Sequence, residues 1–232
     1  MLTPLHNRAE AGRTLGLKLS RYANRGDVIV LGLPRGGIPV AFEVARALAA
    51  PLDVFIVRKL GAPGYHELAM GAIASGGARV INEDVVASLG IPHFGIERTV
   101  VLEEEEIERR ERLYRGKRPP IDVRGKIVII ADDGMATGAS MLVALKALRS
   151  LRPARLVVAV GVSSPSACSA VEEVADECVS VLEPDDLGAI SPWYDEFDQT
   201  RDEEVCALLA KADERPRARA RHAHRAQERH AS

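Results

Sequence analysis

Fourteen residues constrain this chain more than any others: Ile127-Val-Ile-Ile-Ala-Asp-Asp-Gly-Met-Ala-Thr-Gly-Ala-Ser140. An unbroken apolar run opens the segment and reads as a strand covered on both faces. Met141, Ala144, Leu145 and Leu148 then recur at helical spacing. Asp132 and Asp133 therefore fall at the carboxyl end of a strand, where open α/β sheets bind ligands. The small residues after them leave backbone N–H groups free to wrap an anion at a helix N-terminus. Thr137 and Ser140 add hydroxyl donors. Carboxylates that accept hydroxyl hydrogens, beside a loop that takes phosphate oxygens, suit a polyol phosphate. A strand closed by an incidental acidic cap is the plainer alternative, and the combined pattern is more specific than that.

Around this segment the chain alternates short apolar runs with helical periodicity, the pattern of a mostly parallel central sheet flanked by helices. The expected strands are 28–33, 54–57, 126–131, 156–162 and 178–182. Helices are expected after Gly36-Gly37, over 141–148, and from Pro165 to about Glu177. Residues 60–78, rich in Gly and Ala, read as a mobile loop. Residues 93–118 read as one exposed helix carrying Glu–Arg pairs. Nothing divides residues 1–210 into two domains. Residues 211–232 carry seven Lys/Arg against three Asp/Glu and read as a solvated, disordered basic tail.

Composition closes off several classes. No apolar run approaches a membrane span, and the polar start, Met1 to Glu10, does not read as a secretory signal. Aromatic residues are 4% of the chain, which argues against a stacking platform for nucleic acid. The three cysteines, Cys168, Cys178 and Cys206, lack metal-ligand spacing and point to a reduced, cytoplasmic setting.

The 127–140 segment resembles the phosphoribosyl pyrophosphate (PRPP) motif of type I phosphoribosyltransferases. The resemblance implies that Asp132 and Asp133 bind the ribose hydroxyls. It gives Gly134, Met135, Ala136, Thr137, Gly138, Ala139 and Ser140 to the 5′-phosphate. A second stretch, Leu31-Gly-Leu-Pro-Arg-Gly-Gly-Ile-Pro-Val-Ala41, resembles the family's pyrophosphate loop, with Arg35, Gly36 and Gly37 at the turn. A third, Val57-Arg58-Lys59-Leu60-Gly61, resembles the basic site ahead of the family's flexible lid, and places Arg58 and Lys59 on the departing pyrophosphate. His66 and Glu67 fall within that lid. The matches span about residues 28–165. The nearest likeness is to bacterial phosphoribosyltransferases of unassigned acceptor, which share VRKLGAPG and the end motif from Trp193 to Gln199. Ala136 stands where the hypoxanthine–guanine enzymes carry Asp, which turns the reading away from 6-oxopurine salvage. Gly134 replaces a branched apolar residue and is expected to loosen the turn.

The resemblance implies a type I fold with a core over about 26–182 and a small hood from 1–25 and 183–210. Trp193, Tyr194 and Phe197 are candidates to stack on an acceptor, or equally to pin the C-terminal segment to the core. The implied activity transfers phosphoribose from PRPP to a small nucleobase-like acceptor, with Mg²⁺ held mostly by substrate and water, Asp132 and Asp133 touching it through water. A PRPP-sensing regulator on the same fold is the alternative. A phosphatase reading lacks Asp-x-Asp spacing. A homodimer is compatible with the resemblance, and no membrane or nucleic-acid partner is expected.

Overall fold

Within each central strand, successive apolar residues leave for opposite sides, so one sheet carries two cores. Val28 and Val30 join the core under one helical layer, and Ile29 and Leu31 the core under the other. The computed structural model describes residues 3–63 and 65–214, apart from the side chains of 65–67. The side chains of His66 and Glu67, and residues 215–232 of the basic tail, lie outside what is described. Residues 211–214, assigned by sequence to that tail, continue a helix that begins at 202.

The chain runs α1 (Arg8–Lys18), β1 (Val28–Gly32), α2 (Gly37–Leu48), β2 (Leu52–Val54), β3 (Val57–Ala62), β4 (Tyr65–Ala74), β5 (Arg79–Ile81), α3 (Glu83–Leu89) and α4 (His93–Arg115). It continues through β6 (Ile127–Met135), α5 (Ala139–Ser150), β7 (Arg155–Ser163), α6 (Pro165–Glu172) and β8 (Glu177–Leu182), with α7 over 202–214. The central sheet has the order β2-β1-β6-β7-β8, every pairing parallel. This is the expected α/β architecture, with β6 at its middle. Residues of α1 and α2 belong to one core, and residues of α5 and α6 to the other.

Three expectations are corrected. The 60–78 segment is not a loop: β3, β4 and β5 form an antiparallel sheet. Its small residues suit a middle strand squeezed between neighbours, since a Cβ on Gly71 would strike the Val80 carbonyl. The expected 54–57 strand straddles the break between β2 and β3. The cysteines are not all free thiols, because Cys168 on α6 is bonded to Cys178 on β8, Cα–Cα 6.0 Å, while Cys206 stays unbridged. Among the described residues no helix is long and apolar enough to cross a membrane.

Candidate functional site

The acids sit where β6 outruns its neighbour β1. Asp132 pairs in register with Val160 of β7, while β1 ends opposite Ala131. Strand alternation sends the two carboxylates to opposite faces of the sheet. Asp133 goes toward the α1 side, where Arg8 Nε donates to its Oδ2 at 2.8 Å. Asp132 Oδ1 accepts the Asp133 backbone N–H at 2.9 Å. Burial, and then the neighbouring Asp133 charge, push the Asp132 carboxyl well above the usual carboxylate range.

The turn after β1 closes over these acids. Leu33 N–H donates to the Ala131 carbonyl, and Gly37 N–H to the Leu33 carbonyl, both at 3.0 Å. A side chain on Gly36 would collide with the Asp133 carboxylate, and one on Gly37 with Asp132 and the Ala131 carbonyl. Those two glycines are what allow the Arg35-Gly36-Gly37 turn and the acid pair to share one place. Arg35 stays partly buried beside them.

Downstream, β6 continues through Gly134 and Met135. Met135 is a core residue, so the exposed turn is shorter than the motif and begins at Ala136. Gly138, at φ +73°, caps α5 and has no side chain to bond the first amides, which leaves only a long 3.5 Å hydrogen bond from the Ala139 N–H to Thr137 Oγ1. Thr137, Ala139 and Ser140 are exposed around that N-terminus. Ser164, which caps α6, braces the turn from behind by donating to the Ala136 carbonyl at 2.9 Å. The result is an open, uncapped helix N-terminus held on a rigid support, a geometry that favours an anion.

The C-terminal segment lies over the strand ends through two glycine gaps. Ile190 fills the space above Gly134, where any Cβ would collide with it. The expected loosening at Gly134 is thus corrected: the branched apolar side chain comes from Ile190 instead. Tyr194 occupies the space above Gly161 and donates its hydroxyl to the Asp133 carbonyl at 2.6 Å. Tyr194 is 5% exposed and stacks on Phe197 at 5.0 Å, and the Arg8 guanidinium lies 3.9 Å from the centroid of the Phe197 ring. Tyr194 is therefore an anchor, and Trp193 stays partly exposed. Leu5 pairs with Tyr194 in a short bridge that ties the N-terminal segment to the segment after β8.

The basic pair of β3 separates. Arg58 donates to Glu103 of α4 at 2.6 Å, whereas Lys59, on the opposite face of the strand, is exposed. Sequence reasoning missed Arg8, whose significance depends on a partner 125 residues away. Among the described residues no group of three or more His, Cys, Asp or Glu is placed to share a metal ion.

A parallel α/β sheet with acids and an open helix N-terminus at one strand end is an arrangement that many open α/β folds share. The comparisons narrow it. Residues 1–196 match the phosphoribosyl transferase domain family, and the chain belongs to that family. A Mycobacterium tuberculosis H37Rv protein, named at family level only as a phosphoribosyl transferase, is 41% identical over 206 residues. That match takes in 89% of this chain and 46% of the relative, so the chain spans about half the length of its curated relatives. The crystal structure of the TT1426 protein of Thermus thermophilus is 38% identical, with a TM-score of 0.79 over 90% of this chain and 99% of that one.

Proposed function

We propose that this chain transfers the 5-phosphoribosyl group of PRPP to a nucleobase-like acceptor. The bond from the anomeric carbon to the pyrophosphate oxygen breaks, the acceptor nitrogen exchanges its proton for a bond to that carbon, and pyrophosphate leaves as the released proton passes to it or to water. The observation that carries this reading is the packing of the Gly36-Gly37 turn directly on the acid pair, one turn away from the uncapped start of α5. Asp132 and Asp133 would accept the ribose hydroxyls. Thr137, Ser140 and the amides from Ala136 to Ser140 would hold the 5′-phosphate. Arg35 and the amides of its turn would meet the diphosphate, with Lys59 as a second cation.

Such a reaction needs little covalent help from protein; positioning and neutralisation of the leaving diphosphate carry the rate. Two carboxylates without a third ligand fit Mg²⁺ carried by the substrate diphosphate and water, which suits an ion reluctant to dehydrate. When bound, the ion would supply charge neutralisation of the diphosphate, and Asp132 and Asp133 would steady it through water. Pro4, Asp186, Gly188, Ala189, Pro192 and Trp193 line a shallow cavity that could border the acceptor.

Calorimetric titration with PRPP and Mg²⁺ tests the binding half. Asp132→Asn combined with Asp133→Asn should weaken PRPP about tenfold or more, equivalent to about 1.4 kcal/mol. Unchanged affinity would sink the assignment. Pyrophosphate release across a panel of nucleobases tests the transfer half.

A further inference from the structure

Arg8 is the first residue of α1, behind an Asn7 cap. A cation there faces the positive end of the helix dipole, an arrangement that costs stability unless a nearby anion answers it. Arg8 is nevertheless 12% exposed, and the anion that answers it is Asp133, 16% exposed. Its guanidinium is held on three sides. Nε donates to Asp133 Oδ2 at 2.8 Å, Nη1 donates to the Asp198 carbonyl at 2.7 Å, and the plane lies 3.9 Å from the Phe197 centroid.

We propose that Arg8 is a positioning residue for phosphoribosyl transfer, holding Asp133 in place against the Gly36 turn and offsetting the charge of the acid pair when the diphosphate arrives. The proposal rests on Asp133 being a ribose-hydroxyl acceptor. Three features support it. Arg8 uses only Oδ2 of the carboxylate, and Oδ1 has no hydrogen-bond partner among the described residues, so an acceptor atom remains for a hydroxyl. The carboxylate is crowded, since a Cβ on Gly36 would collide with Oδ2, the oxygen that Arg8 holds. The guanidinium cannot swing out cheaply, because leaving forfeits two hydrogen bonds and a cation–π contact together. The same cation also lies beside two adjacent carboxylates that must receive a highly anionic substrate.

A double-mutant cycle on the full chain, read as PRPP affinity by calorimetry, tests this. Arg8→Gln should weaken PRPP about tenfold or more, and Arg8→Lys should recover part of that loss by restoring charge without the planar fork. In an Asp133→Asn background, Arg8→Gln should change affinity by less than about threefold, because its action passes through Asp133. A merely structural Arg8 would give the same loss in both backgrounds. That result overturns the proposal, as does unchanged or tighter binding by Arg8→Gln. Should Arg8→Gln not fold, Arg8→Lys in the two backgrounds makes the same comparison. Failure of the wild-type chain to bind PRPP removes the proposed function and this inference with it. PRPP binding by the wild type with no Arg8–Asp133 coupling removes the inference alone.

Discussion

The two halves of the site are built in opposite ways. The acid half, at the end of β6, is clamped: Arg8 holds a carboxylate, Tyr194 holds a backbone carbonyl, and Ile190 fills the gap above Gly134. The anion half, from Ala136 to Ser140, is left open, with no side-chain cap on α5 and its hydroxyls exposed. The contrast fits the proposed roles. Two adjacent carboxylates repel and are fixed by partners, whereas a bound phosphate would supply the charge that a helix N-terminus lacks. Mutations in the clamped half should therefore move stability and binding together. Mutations in the open half should move binding alone.

The largest effect is expected at Gly161. A valine there collides with the Tyr194 hydroxyl and the Asp133 carbonyl, expelling the C-terminal segment from the acids. Overpacking of this kind costs about 1–3 kcal/mol, and PRPP affinity should fall with it. Gly188→Ala, in the same C-terminal segment but with nothing within 4 Å of a new Cβ, should leave both melting temperature and affinity unchanged. Equal melting temperatures for the two variants would break the comparison.

The two acids should then behave oppositely in thermal melts. Asp133→Asn leaves the largely buried Arg8 without its anion and should lower stability by about 1–3 kcal/mol. Asp132 has a folded-state pKa above its unfolded value, so its ionisation opposes folding and stability falls as pH rises through the carboxylate range. Asp132→Asn should accordingly melt higher than wild type at pH 7. The gap should close as the pH falls below about 4, where the unfolded carboxyl is protonated. A gap independent of pH would show that Asp132 is not the group responsible.

The smallest effect on stability belongs to the open half. Thr137→Ala should change stability by no more than about 0.5 kcal/mol, since the exposed hydroxyl has only a long 3.5 Å contact with the Ala139 N–H. Ribose 5-phosphate affinity should nonetheless drop by about 0.5–1.5 kcal/mol, one hydrogen bond. A fall in melting temperature comparable to that of Asp133→Asn would remove the distinction between the halves.

What was legible in the sequence follows the same division. Of the central strands, β1, β6, β7 and β8 were readable as apolar runs, and α2, α5 and α4 from helical spacing of apolar or paired charged residues, because both are local properties of the chain. Strand β2 was not, since the expected 54–57 strand straddles its end. The β6 motif was readable because its parts are contiguous. The β3–β5 sheet was not, because Gly and Ala signal turns locally, and only packing between neighbours makes a small residue the right one for a middle strand. Helix α6 ends at Glu172, short of the expected boundary, and its disulfide to β8 joins residues that no spacing rule pairs.

Sequence by itself determined the α/β class, the place of the acids at a strand end, and the small-residue turn that follows them. Tertiary structure alone decided which carboxylate is paired, that Tyr194 is an anchor, that Ile190 occupies the space above Gly134, and that Arg58 is drawn away to Glu103. The physical reason is range. Backbone periodicity and turn chemistry act over a few residues, whereas Arg8 and Asp133 are 125 residues apart and meet only when the N-terminal segment settles on the end of β6.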